Sequence, residues 1–389
     1  MIDIGVLWWL RGPMYLDYNA TAPIRPSVLG TMEDIVLELR NPMSLHRGGR
    51  KSRVLLDQAR ETILECLGLP KGEVIWTSSG TESDYLAIKG LARLSRFRNP
   101  KATEIWVSSF EHPAVMACAQ SLSKEGFEVH VIPTGLGHCL DFDWVSARLS
   151  EKVAVISVMM AHNETGVLLP VEELTALAQP LGVPVHTDAV QAVGKVPVSF
   201  ADLGVDALSI AAHKFGGPRG IGAVLVPKGI RLEPIWRGGA QEDGMRPGTH
   251  ALPLVIGMTH ALKEALTEME LGYSDVRGQF EEKIRGIDGI QIIGESFERL
   301  PNTSLVGSEN AVGGDLIGAL NHRGVSVSGG SACHGHLQGQ AGWLSAFTAA
   351  CFSNVGRLRF SFDPSDRQLS PAVLARHLIR AIEQVRSQG

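Results

Sequence analysis

Lys214 lies in Ser209-Ile-Ala-Ala-His-Lys214-Phe-Gly-Gly-Pro218, between an apolar run and a glycine-rich turn. A lysine there leaves the end of a buried strand and faces whatever collects at the sheet's edge. Partial desolvation lowers a lysine pKa and supplies free amine that can attack a carbonyl. That is the chemistry of a Schiff base with pyridoxal 5'-phosphate. An isolated lysine after a strand is ordinarily a solvated surface residue. The chemical reading therefore depends on the partners that the rest of the chain supplies.

A phosphate needs a cradle. Thr77-Ser-Ser-Gly80-Thr81-Glu-Ser83 follows an expected strand and opens an expected helix. Backbone N–H groups at the helix start, with Gly80 and the Thr81 hydroxyl, would bind an anion. The same letters also read as a plain capping box, Ser79-x-x-Glu82. A pyridine nitrogen needs a carboxylate. Asp188 in His186-Thr-Asp188-Ala-Val-Gln191 would keep such a ring protonated, or would only cap a following helix. Gln191 or Asn163, the latter in Ala161-His-Asn-Glu-Thr-Gly166, would reach a ring oxygen; the alternative for Asn163 is a turn residue. His112, between a strand and a helix, would stack on an aromatic ring and relay protons near neutral pH. His213 beside Lys214 points to phosphate binding.

A thiol and a carboxylate anchor complete the set. Cys333 lies in Ser331-Ala-Cys333-His-Gly-His336, a polar glycine-rich stretch that favours an exposed, reactive thiol, with His334 and His336 at hand to favour the thiolate. Cys66 and Cys118 fall in helical patterns and read as core. In Gly356-Arg-Leu-Arg359-Phe-Ser361 an arginine would hold a carboxylate bidentately. Arg357 and Arg359 share a face by the period of two, so pattern alone does not choose between them.

These residues need a scaffold. Apolar runs at 74–77, 105–108, 129–132, 153–160, 183–187, 207–211 and 223–226 read as strands. Helical patterns occupy 51–67, 82–97, 113–124 and 171–181. Continuous apolar strands separated by helices predict a mostly parallel sheet covered on both faces, with ligands beyond the strands' carboxyl ends. From about Pro253 a long helical pattern runs to roughly Met269. Shorter mixed elements follow, ending in a helix near Pro371–Arg386, which reads as a smaller α+β domain. The glycine-rich stretch from Gly238 to Thr249 reads as a long functional loop.

With 389 residues, 44% hydrophobic, 20% charged and a net charge of −5, the chain reads as an ordinary α/β enzyme, without broad nucleic-acid or membrane-surface binding. Five scattered cysteines indicate a reducing compartment, the cytoplasm, and no Cys/His spacing suggests a metal site. The apolar patch Met1–Leu10 is too short to span a bilayer, and Met14 is a candidate start.

Tyr15-Leu-Asp-Tyr-Asn-Ala-Thr-Ala-Pro23, Asn41-Pro-Met-Ser-Leu-His46, Thr77–Ser83, Glu111-His-Pro113, Asn163–Gly166, Thr187-Asp188 with Gln191, Ala212-His-Lys214, Arg246-Pro-Gly-Thr249, Ser331-Ala-Cys333 and Arg359-Phe-Ser361 follow one another in the order of the cysteine desulfurases. The chain resembles that family from Tyr15 onward. The resemblance implies a pyridoxal-phosphate enzyme of fold type I in the class V aminotransferase group. Its seven-stranded large domain would cover 24–266. A small domain, 15–23 and 267–389, would carry the cysteine loop, and 1–14 would be an extension. It implies a homodimer that takes sulfur from L-cysteine, leaves L-alanine and passes a persulfide to an acceptor protein. Lys214 would carry the cofactor, His112 stack on the ring, Asp188 bind its nitrogen and Gln191 its oxygen. Asn163 would lie near the substrate carboxylate and ring oxygen. Thr81, Ser209 and His213 would hold the phosphate, with Thr249 from the partner subunit. Arg359, rather than Arg357, would clamp the substrate, and Cys333 would become the persulfide. The 26 positions from Cys333 to Arg359 match the long-loop branch.

The chain departs from the family's pattern in places. Ala211 stands where a phosphate-binding serine is usual, Asp363 where glycine is common, and His162 where asparagine is frequent; His334-Gly-His336 follows the thiol. A selenocysteine lyase or class V transaminase would need Lys214 but not Cys333. An inactive platform for sulfur acceptors would load cofactor without turnover, or not load it.

Overall fold

The structure, a computed structural model, describes residues 14–135, 139–309, 311–329, 347, 355–363 and 368–387. The chain divides into two compact units: Pro23–Ala161 with Leu169–Glu270, and Met1–Ala22 with His162–Leu168 and Leu271–Gly389.

The first unit is built on a seven-stranded sheet. Its order is Gly72–Thr77, Gly222–Pro227, Ala207–Ala211, Val185–Asp188, Val153–Ser157, Glu104–Ser108, Glu128–Ile132. The expected mostly parallel sheet is present, and only Gly222–Pro227 runs antiparallel to its neighbours. Gly222 pairs with both Thr77 and Ala211. The strands on either side of it therefore end on the same edge of the sheet. Ala207–Ala211 and Val153–Ser157 are buried throughout, which explains letters that are apolar apart from Ser209 and Ser157. The strand expected over 153–160 stops at Ser157, although Val158 and Met160 still donate to the carbonyls of His186 and Asp188.

The helix Gly80–Arg98 starts where Ser79 caps it and carries Glu82 in its first turn and Arg96 and Arg98 in its last, matching its dipole. It buries Leu86, Ala87, Ile88 and Leu91 in the sheet's main apolar cluster with Ile75, Ile105, Val155 and Val224. Each of the leucine, isoleucine and valine side chains contributes about 1.5–3 kcal/mol by leaving water. Leu252–Glu270 belongs to this unit and packs on Pro26–Val36 and Arg47–Cys66.

The second unit holds a three-stranded antiparallel sheet in the order Val355–Ser361, Thr303–Glu309, Ile290–Ile293, and a short parallel pair, Met14–Tyr15 with Val325–Ser326. Helices Val276–Ile284, Gly313–Asn321 and Pro371–Arg386 cover it. Its centre is aromatic: Phe280 lies 4.8 Å from Phe360 and 5.9 Å from Phe362, centroid to centroid. Among the described residues no helix is long and apolar enough to cross a membrane.

Candidate active site

The strand ends of the first unit gather His112, Asp188 and Lys214. The strand Val185–Asp188 delivers Asp188 to the sheet's edge, where no helix follows for it to cap. Its Oδ1 accepts instead from Val190 N at 2.9 Å within a turn. Burial pushes its carboxyl up, while His112 and Lys214 pull it down. His112 caps the helix Pro113–Ser123, its Nδ1 accepting from Ala114 N at 3.2 Å. Burial depresses its pKa, Asp188 opposes that, and Lys214 adds to it. A neutral imidazole whose Nδ1 accepts carries its proton on Nε2. Lys214 ends the short 3₁₀ turn Ala212–Lys214 that breaks the strand Ala207–Ala211. Gly216 at φ +82° and Gly217 make that turn possible; a Cβ on Gly217 would sit 2.8 Å from that of Ala212.

In the Thr77–Ser83 segment the Ser79 cap at the helix start is made. Ser79 Oγ accepts from Glu82 N at 3.2 Å, while the Glu82 carboxylate accepts at 2.5 Å from Ser78 N rather than from the N-cap residue itself, so only the first half of the capping box is made. Arg246 grips the same carboxylate at 2.9 and 3.3 Å. Burial raises the Glu82 pKa, but the hydrogen bonds from Arg246 and Ser78 outweigh it and leave it lowered. The N–H groups of Gly80 and Thr81 precede the first intrahelical bonds and remain the natural anion donors. Gly80 seats this terminus on the sheet edge: a Cβ there would lie 3.0 Å from Val190 Cγ2 and 3.5 Å from Ala211 Cβ. His213 is pushed down to about 4 by burial and by Lys214, Arg219 and Lys195, so it is neutral inside a cationic group.

Ser209 requires a correction. It was expected to hold phosphate, but its hydroxyl is fully buried, 2.9 Å from His186 Nε2, with Asp84 as a further partner. Ser209 and Ala211 share a face of one strand. Ala211 lies under Gly80 at the helix start, whereas Ser209 lies one helical turn deeper, under Asp84. The serine thus belongs to a buried polar chain of Ser157, His186, Ser209 and Asp84. Burial pushes His186 down to about 3 and raises Asp84 well above the ordinary carboxylate range.

Gln191 accepts at Oε1 from Lys195 Nζ at 2.7 Å. Lys195 was not foreseen, although its spacing of four residues after Gln191 was a usable signal. Glu111 was also missed: its Oε1 accepts from Ser108 Oγ at 2.6 Å and Met159 N at 2.8 Å, and burial raises it to about 8. Thr249 is exposed on its loop, where Glu242 and Asp243 take left-handed φ of 47° and 52°.

In the second unit, Arg359 stands on the strand Val355–Ser361, buried, where Arg357 is only half-buried. Its Nη2 donates to Asp17 Oδ1 at 2.8 Å and its Nη1 to the Asn163 carbonyl at 3.0 Å. Its Nε is buried without a partner among the described residues. Asn163 thus meets Arg359 through its backbone, in a turn closed by Gly166 at φ +76°. His162 is buried beside it, held to about 4 by burial with Arg359 adding and Glu164 opposing. Cys333, His334 and His336 lie outside the described residues. Of the described cysteines, Cys118 and Cys139 are buried and raised by burial to about 12 and about 11. Cys66, expected in the core, is half-buried at its helix end, also with a raised pKa. None of these three is a ready thiolate.

The donor set fits pyridoxal phosphate: a helix terminus for the dianion, a buried carboxylate for the ring nitrogen, an amide, a neutral imidazole and an amine among the strand ends of one sheet. Comparison with known proteins agrees. Residues 14–365 match the aminotransferase class-V family. The cysteine desulfurase IscS of Dictyoglomus turgidum is 36% identical, over 90% of each chain. A solved NifS-like protein superposes with a TM-score of 0.82 at 29% identity, over 96% of this chain and 98% of that one. The structure described as SspA in complex with cysteine gives 0.76 at 28% identity, over 91% and 99%. The chain belongs to the class-V aminotransferases and, within them, to the cysteine desulfurases.

Proposed function

We propose that this chain removes sulfur from L-cysteine, leaving L-alanine and a persulfide on Cys333 for an acceptor protein. The observation that carries the reading is the convergence of His112, Asp188 and Lys214 at the strands' carboxyl ends in a chain of this family. Pyridoxal phosphate, when bound, supplies an electron sink for the pair left by a broken Cα–H bond.

The chain's own residues do the rest. Lys214 would hold the cofactor, and its amine is the base placed to take the Cα proton and return it. Asp188, whose carboxyl burial raises while His112 and Lys214 oppose the rise, would face the ring nitrogen and favour its protonated form. His112 presents its ring face, with its proton fixed on Nε2 by the helix cap. Gly80, Thr81 and His213 hold the phosphate without Ser209, and Thr249 adds a contact from a partner subunit. Arg359 and Asn163 hold the substrate carboxylate. The Cys333 thiolate attacks the substrate sulfur: an S–S bond forms, the C–S bond breaks, and its electron pair is protonated at alanine. A homodimer in the cytoplasm, where thiols such as Cys118 stay reduced, suits this chemistry.

The test is Cys333→Ser. The variant should bind pyridoxal phosphate with the wild-type yellow absorbance yet release no sulfide from L-cysteine. A variant that still desulfurates, or a wild-type chain that takes no cofactor, defeats the proposal.

A further inference from the structure

Lys195 is only 4% exposed, and its ammonium donates to Gln191 Oε1 at 2.7 Å. The two residues sit four apart on the turn that follows Asp188. That turn is wound by bonds from Val193 N to Ala189 O and from Lys195 N to Ala192 O. Gly194, at φ +75°, lets the turn close: a Cβ there would lie 3.0 Å from the Cβ atoms of Ala265 and Phe215. Lys195 also helps to push His213 down, so its charge is felt at the turn that carries Lys214.

A glutamine amide has two ends of nearly equal size and opposite polarity. An ammonium donates only, so it can bond only the amide oxygen. The Lys195 bond therefore fixes Oε1 toward Lys195 and Nε2 away from it. The flipped amide would present oxygen to oxygen wherever an anionic ligand atom met Gln191. We infer that Lys195 is a positioning residue, holding the Gln191 amide with its N–H donors toward the ring oxygen of the bound cofactor. This rests on the proposed function, and it goes beyond it by giving a buried cation a part in cofactor recognition.

The experiment titrates pyridoxal phosphate into the apo chain and follows the chromophore to obtain an equilibrium affinity. Lys195→Met keeps the apolar stem and removes the donor; it weakens binding about tenfold, the loss of roughly one charge-assisted hydrogen bond. Lys195→Arg, which retains charge and donors, stays within about threefold of wild type. Gln191→Met weakens binding to a similar degree as Lys195→Met, and adding Lys195→Met to it weakens binding no further, because no amide remains to orient. A lysine that merely holds the fold would reduce affinity equally in both backgrounds. Wild-type affinity in Lys195→Met, or losses that multiply in the double variant, overturns the inference. If Lys195→Met does not fold, Gln191→Glu decides: it keeps an oxygen for Lys195 but has no N–H donor, and must bind cofactor more weakly. Wild-type affinity in that variant overturns the inference equally. A wild-type chain that forms no chromophore overturns the proposed function itself, and that is seen before any variant is made.

Discussion

Replacing Ala211 by serine places a hydroxyl at the buried strand end beneath Gly80, at the start of the helix Gly80–Arg98. The side chain there is 1% exposed, so the new hydroxyl has no water to turn to. Without a phosphate it adds an unsatisfied buried group, at a cost of about 1–3 kcal/mol. With a phosphate dianion at the helix terminus it donates a charge-assisted hydrogen bond of about 1.5–3 kcal/mol. The two effects share a sign for binding: the apo form rises and the loaded form falls. Ala211→Ser should therefore tighten pyridoxal phosphate by at least about tenfold, each tenfold being about 1.4 kcal/mol. The same change should lower the apo melting midpoint by about 2–4 °C for each kcal/mol of cost. The assay is a cofactor titration paired with melting curves of the apo and loaded chains. An unchanged affinity would show that the phosphate does not sit under Gly80, and would remove the physical basis for assigning Gly80 and Thr81 to it.

Glu111→Gln tests the buried acid. The wild-type carboxyl ionises near 4.5 when unfolded and near 8 when folded. Between those values the folded chain binds the extra proton, so wild-type stability falls as pH rises, by up to about 1.4 kcal/mol per unit. The variant's neutral amide carries no such penalty, and denaturation midpoints should favour the variant increasingly from about pH 5 to about pH 8; a flat difference refutes this. Glu281→Ala leaves Arg299 unpaired where its side chain is 5% exposed, near Arg277, which already feels its charge. The expected loss, about 3–5 kcal/mol by chemical denaturation, should shrink when both partners become methionine. Arg359→Lys cannot reproduce a bidentate fork and should raise KM for L-cysteine about tenfold or more, while Arg357→Lys leaves it near wild type. Equal effects at the two positions would count against Arg359 as the clamp.

The sheet and its flanking helices were legible because burial on both faces leaves mostly apolar strands, and helices between them carry caps such as Ser79 and His112. Asp188 and Lys214 stood out because each follows an apolar run, and the structure puts Asp188 at the end of its strand and Lys214 in the turn after one. The phosphate role that the resemblance implied for Ser209 did not hold, because Ser209 and Ala211 share a strand face and only depth under the helix, which no local pattern carries, separates them. Lys195 was hidden because a lysine in a turn reads as solvated, whereas this one is buried. The Asp17–Arg359 pair joins positions 342 residues apart, a relation that no local pattern carries. The same holds for the turn His162–Leu168, which belongs with Leu271–Gly389 although it lies between strands of the large sheet.

The account turns on sulfur reaching one thiol. Mass spectrometry of the cofactor-loaded chain after L-cysteine, with alanine measured in solution, tests this most directly. One added sulfur atom on the peptide carrying Cys333, in step with alanine and absent from Lys214→Ala, is the expected result. Alanine without sulfur on Cys333, or sulfur on Cys66, Cys118 or Cys139 instead, would contradict it.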